Sequence, residues 1–416
     1  MNRPSGARPV DWERLLDDCV DFTQRLVRTP SMPGGERAVA DLVAAECRAV
    51  GFDEVALDEV GNVTARMCGA ARGGGGSTRG EGTNEDGGDG GAGGDVLGAI
   101  VLNSHLDHVD PGDPTLWSVP PYSARIIDGR IVGRATCDIK GPMAVQVYAA
   151  AGLPRSGERP RRDVVFSAVV EEEVGGAGAQ HWVANVDFPV DLVVLGEPSD
   201  NDVAIGHRGI LQMWLTFHGR SVHASAPERG RNPNVPLAEF LVRLEAERDR
   251  LGRHDMLGAT TMTPTIIEVD TTSPNVTPAW ARVLLDVRSA IESPNSLAEF
   301  VNDLAGDWPH TISDAWAAEP GVPLPDTSEA ITGFYTPPDS QAVRRATAAI
   351  AAGTGHEPGL IRYGFATDGR FFARLGAPII GYSPAEEDQA HVADESISIA
   401  KMAESLRGHV QLLREY

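Results

Sequence analysis

One stretch of this chain can be built in few ways. The run Asp163–Val170 is apolar and β-branched, the composition of a buried strand. Glu171, Glu172 and Glu173 follow at once, then Val174, Gly175 and Gly176. Three carboxylates end the strand, and the two glycines let the chain turn away. Adjacent like charges raise one another's pKa unless something positive stands near. A solvated acidic turn meets that constraint, and so does a cation site. The other strand ends bear on the choice.

The strand Leu97–Ser104 runs into His105-Leu106-Asp107. Alternation puts His105 and Asp107 on one side of an extended chain, where the carboxylate can orient the imidazole as metal-binding histidines require. Val190–Leu195 is a further strand and ends in Gly196-Glu197-Pro198, an unusual place for a surface charge. Asp138 precedes a helix expected from about Pro142 to Ala151, where it also reads as a helix cap. Alternating strands and helices over this part of the chain indicate an α/β fold, mostly parallel. In such sheets functional groups collect at the carboxyl ends of the strands, where His105, Glu172, Glu173 and Glu197 all stand. His391 lies in a loop between a strand at 378–382 and a final helix at about 394–414.

From Arg208 the pattern changes to a smaller α+β unit, which predicts a first catalytic segment at 1–207, an inserted domain at 208–318 and a second catalytic segment at 319–416. Residues 69–95 include 13 glycines and no large apolar side chain. They read as a flexible insertion and not as a phosphate loop, which would need a Lys-Ser/Thr end and a helix start. The net charge of -23 disfavours nucleic acid and anionic membrane as partners. No apolar run approaches the ~20 residues that span a bilayer. Met1–Val10 lacks the apolar stretch of a secretory signal, and a cytoplasmic location is expected.

His105, Asp138, Glu173, Glu197 and His391 make a set of two imidazoles and three carboxylates. That mix suits zinc, cobalt or manganese better than calcium or magnesium. Five side chains suffice for two ions if one carboxylate bridges, and Glu172, unligated, would be free to move a proton.

The motifs that carry these residues occur in an order that resembles the di-zinc aminoacylase/carboxypeptidase metallohydrolases of the acetylornithine deacetylase and succinyl-diaminopimelate desuccinylase type. They are Ser104–Val109, Gly133–Gly141, Glu171–Gly176, Gly196–Ser199, Gly206–Gly209, Gly219–Pro227, Asp286–Arg288, Thr367-Asp368 and His391 before Asp394-Glu395. The resemblance implies a zinc-peptidase-like catalytic domain with a mixed sheet flanked by helices, and an inserted ferredoxin-like lid that dimerises. It implies that Asp138 bridges two divalent ions, most often zinc. His105 and Glu197 would complete one site and Glu173 and His391 the other. Asp107 would orient His105 and Glu172 would act as general base and acid. His223 would hold the substrate carbonyl oxygen, in this family typically from the partner subunit, and Arg288 and Asn275 would contact substrate. Glu171, where the family usually has Asp, and Tyr382–Ala385 depart from the pattern.

The expected activity is hydrolysis of the amide bond of a small N-acyl amino acid or peptide-like substrate. A deacylase that frees a basic amino acid from a carrier protein is the alternative within the fold. A non-catalytic binding or assembly relative is the alternative outside it, and would lack ligands or base that this chain has.

Overall fold

The strand Ala99–His105 is buried along its whole length and sits in the middle of an eight-stranded sheet. The computed structural model describes residues 8–70, 97–290, 292–315, 317, 321–324 and 333–416. Apart from Gly69 and Ala70, the glycine-rich segment 69–95 lies outside them. By packing, the chain divides into two units. One comprises the described residues of Met1–Ile205, Thr336–Ile361 and Leu375–Tyr416, the other those of Gly206–Tyr335 and Arg362–Arg374.

In the first unit the strand order is Glu54–Leu57, Val63–Met67, Val164–Val169, Ala99–His105, Val190–Leu195, Ile379–Gly381, Val203–Ala204, Leu360–Ile361. The four strands from Val164–Val169 to Ile379–Gly381 run parallel, and antiparallel pairs flank them, so the sheet is mixed. Val, Ile, Leu and Phe fill the central strands on both faces because helices cover the sheet. The helix Gly141–Arg155 is buried from Gly141 to Leu153 and packs against Ile399–Glu415. Trp12–Val27 starts where Asp11 accepts the Arg14 N–H at 3.2 Å, and it buries Leu15, Cys19, Phe22 and Leu26 on one face. Among the described residues no helix is long and apolar enough to cross a membrane.

The longer elements of the second unit run strand, helix, strand, strand, helix, strand. Its antiparallel sheet is ordered Thr261–Val269, Trp280–Ser289, Gly209–His218, His310–Asp314. Leu211, Met213, Leu215 and Phe217 alternate with half-buried neighbours and form one core with Phe240, Leu244, Leu297 and Val301 from its two helices. The unit extends beyond the expected 208–318. Phe334 and Tyr335 pair with His207 and Gly206, and the Tyr363 N–H donates to the Gly206 carbonyl at 2.9 Å. The strand His310–Asp314 was not expected, since its polar alternation leaves only Ser313 buried.

His207 and His409, one in each unit, are fully buried and lie outside the sites considered below. The His409 Nδ1–H donates to the Ser405 carbonyl at 3.0 Å. The His207 Nδ1–H donates to the Arg208 carbonyl at 2.8 Å, while its Nε2 accepts the Thr367 N–H at 3.2 Å, which fixes the neutral ring. Burial pushes both down to about 4. In the unfolded chain they titrate near ~6.5, so between about pH 6.5 and 4 the unfolded state binds protons that the native state refuses. Stability is therefore full above that window and falls by roughly 3 kcal/mol per histidine as pH drops through it. Denaturant midpoints measured from pH 7.5 to 4.5 should decline steeply; a flat profile would contradict this account.

Candidate metal centre

Because His105 pairs with Val169 in parallel register, the acidic triplet begins two residues beyond the level of that imidazole. On the other side Asn103 pairs with Leu195, so the same register carried two residues further sets Glu197 level with His105. The sheet alone thus gathers a histidine and several carboxylates at one rim of the first unit.

The turn after the strand is not extended. Glu171 adopts a left-handed conformation (φ 57°), and Gly175 and Gly176 also have positive φ, 129° and 77°, as the glycines suggested. The Gly176 N–H closes the turn on the Glu171 carbonyl at 2.7 Å. Asp107, fully buried, holds it from beneath: its Oδ1 accepts the Glu172 N–H and its Oδ2 the Glu173 N–H, both at 3.1 Å. The His105 Nδ1 stands 3.3 Å from Asp107 Oδ1 and 3.1 Å from the Asp107 carbonyl. One carboxylate therefore fixes both the imidazole and the backbone of two glutamates.

Asp138 comes from the irregular turn Thr136–Lys140 ahead of the helix Gly141–Arg155, and its peptide bond to Ile139 is cis. Its Oδ1 lies 2.9 Å from His105 Nε2 and its Oδ2 3.1 Å from His391 Nε2. His391 Nε2 is also 3.1 Å from Glu173 Oε1. His105, Asp138 and Glu173 each offer a ligand atom within 4.8 Å of the other two. Glu197 is buried at the same rim, and its carbonyl accepts the Ser383 hydroxyl at 2.8 Å. Glu172 opens the short turn Glu172–Val174.

The field here is that of a cation site. Burial opposes charge on His105, but hydrogen bonds to Asp107 and Asp138 outweigh it and hold the ring well above the ordinary histidine range. Hydrogen bonds to Asp138 and Glu173 push His391 up to about 10. Burial would raise Asp138, yet the two imidazoles hold it below the ordinary carboxylate range. Surroundings that favour protons on both imidazoles equally favour a divalent cation in their place. The donor set fits such a group: imidazole and carboxylate, with the two Asp138 oxygens directed to different histidines.

Two supporting residues had no role in the sequence reading. Glu395, fully buried, accepts the N–H groups of Cys137 and Asp138 on Oε1 at 2.8 and 3.1 Å, and the Arg134 guanidinium on Oε2 at 2.6 Å. Burial, partly offset by Arg134, raises it to about 7. Glu36 accepts the Glu171 N–H at 3.3 Å. Both work through backbone N–H groups, and the one available signal was the position of Glu395 in the motif after His391.

His223, Asn275 and Arg288 belong to the second unit. There His223 pairs with Val276, and the Ala224 N–H donates to the Asn275 carbonyl at 2.8 Å. The Arg288 guanidinium is turned to Asp286 at 2.8 Å.

The family model for peptidase family M20/M25/M40 matches residues 101–415. The chain is 27% identical over 399 residues to the uncharacterized protein YgeY of Escherichia coli, covering 91% of this chain and 89% of that one. It is 27% identical over 430 residues to a succinyl-diaminopimelate desuccinylase of Bradyrhizobium, covering 96% and 100%. In fold it resembles aminopeptidase PepT of Bacillus cereus, with a TM-score of 0.70, 17% identity and coverage of 96% and 98%. An M20 family metallo-carboxypeptidase of Sulfolobus solfataricus gives a TM-score of 0.68, also at 17% identity, with coverage of 96% and 99%. The match runs from the strand that carries His105 to the last helix and takes in every residue of the cluster around Asp138, so the chain belongs to peptidase family M20/M25/M40 and is a metal-dependent hydrolase of small amide or peptide substrates.

Proposed function

We propose that this hydrolase cleaves the amide bond of a small N-acylated amino acid or peptide-like substrate and holds two divalent ions, zinc by preference. Asp138 would bridge them, with His105 and Glu197 on one side and Glu173 and His391 on the other. The observation that carries this reading is the pair of Asp138 oxygens, one directed to each imidazole. When bound, the ions supply a Lewis acid for the carbonyl oxygen and make water acidic enough to attack at neutral pH.

The protein's own groups do the rest. Glu172 takes the proton from the attacking water and delivers it to the departing nitrogen. Its backbone is pinned to Asp107, so the carboxylate starts from a fixed origin. His223 donates a hydrogen bond to the substrate carbonyl oxygen, and Arg288 and Asn275 contact the substrate. An anionic substrate group is favoured by charge. Arg208 is held below the ordinary guanidinium range by burial and by the nearby charges of Arg362 and Arg288, while the whole chain carries -23.

The second unit is read as a ferredoxin-like lid through which two copies associate. One of its two edge strands, Thr261–Val269, exposes Ile266, Ile267 and Val269, and the helix Asn234–Glu247 exposes Val235 and Val242. Charged replacement of Ile267 should convert a dimer to a monomer in sedimentation and lower turnover. A fully active monomer would remove this part of the reading.

Assays with zinc, cobalt or manganese against N-acetyl, N-succinyl and N-formyl amino acids and dipeptides test the substrate class; turnover of none would sink it. Glu172→Gln should keep its metal content while kcat falls about 10²- to 10⁴-fold. Near-normal turnover would exclude Glu172 as the proton carrier. In Asp107→Asn one acceptor oxygen becomes an amide donor, which cannot receive both glutamate N–H groups. Metal affinity, measured by titration against a competing chelator, should weaken about 10- to 100-fold.

A further inference from the structure

The His223 side chain has a neighbour in its own loop that decides which nitrogen carries the proton. The Ser225 N–H donates to His223 Nδ1 at 3.2 Å, and the Ser225 Oγ lies 2.7 Å from the same nitrogen. A nitrogen that receives an N–H must be bare. The hydroxyl can rotate to donate to it as well, whereas a proton on Nδ1 would meet the Ser225 N–H head on. The neutral ring therefore carries its hydrogen on Nε2.

The loop that presents this pair is braced at several points. The Ala226 N–H closes a turn on the His223 carbonyl at 2.9 Å, the Ala224 N–H reaches the Asn275 carbonyl at 2.8 Å, and the Thr277 N–H reaches the Val222 carbonyl at 2.9 Å. On the other flank Gly230 approaches Val222 and the Arg220 carbonyl so closely that no side chain fits there. The backbone on either side of His223 is thus braced within the second unit, and the two Ser225 contacts act on the exposed ring itself.

We propose that Ser225 is a positioning residue: it clamps His223 Nδ1 so that Nε2–H stands as a fixed, uncharged donor for the carbonyl oxygen of the scissile amide. This rests on the role proposed above for His223. A donor fixed in advance spends nothing on reorientation as negative charge develops on that oxygen, so the clamp acts on kcat and leaves KM nearly alone.

The test is two-bond ¹H–¹⁵N correlation of histidine-labelled protein at pH 8, with His223→Gln identifying the signal. The wild type should show protonated Nε2 and bare Nδ1. Ser225→Ala keeps the backbone N–H and with it the Nε2–H tautomer, but loses the hydroxyl that holds the ring, and should lower kcat about tenfold with KM within about twofold, roughly the worth of one hydrogen bond. Ser225→Thr, which keeps the hydroxyl, should restore kcat. A wild-type ring protonated on Nδ1, or Ser225→Ala with unchanged kcat, overturns the proposal. Should the wild type turn over no N-acyl substrate, the functional reading fails, and the spectrum still decides for or against the clamp.

Discussion

The first unit's site depends on the carboxylate of Asp107. A fully buried anion is costly unless hydrogen bonds compensate it, and Asp107 receives the N–H groups of Glu172 and Glu173 and lies 3.3 Å from the His105 imidazole. Glu36 receives the N–H of Glu171. Three successive backbone donors of the acidic turn are thereby spent on two other carboxylates. This backbone support lets three adjacent glutamates sit together at the rim of a core. Their backbone dipoles compensate buried anions, and Glu173 directs its side chain to His391.

Asp138 is supported in the same manner. Its turn hangs from Glu395, whose Oε1 takes two consecutive N–H groups while Arg134 holds Oε2. The two segments that supply Glu173 and Asp138 are thus each fastened to a buried carboxylate through main-chain donors. Main-chain donors are fixed by the fold, whereas a lysine or arginine would bring charge into the place that a cation has to occupy. Backbone support keeps the site electronegative and rigid together, which is what a preorganised metal centre needs.

Much of this was legible in the chain because the relevant signals are strong and local. Buried β-branched runs ending in His105, in the acidic triplet and in Gly196-Glu197-Pro198 announce strand ends, and the parallel sheet delivers strand ends to one rim. The pair His105 and Asp107 was legible from alternation, but its second task was not: nothing in the spacing of Asp107 says that its oxygens will be occupied by N–H groups more than sixty residues later. Glu36 and Glu395 were missed for the same reason, since a side chain that acts on a distant backbone leaves no pattern of residue types. The strand His310–Asp314 escaped because it is an edge strand, half exposed and polar, and owes its conformation to pairing with Gly209–His218.

The acidic triplet shows why pattern alone could not assign its members. If the strand simply continued, alternation would put Glu171 and Glu173 on one face and Glu172 on the other. The left-handed conformation at Glu171 ends that alternation, so the pleat no longer decides which carboxylate faces which neighbour. Hydrogen bonding decides instead. Asp107 takes the two N–H groups that follow and fixes Glu172 and Glu173 as a pair, while Glu171 is held by Glu36 through its own N–H. The residue whose spelling departs from the usual aspartate is therefore the one that stands at the bend. What the structure engages there is its main chain, and an extra methylene in its side chain leaves that hydrogen bond in place.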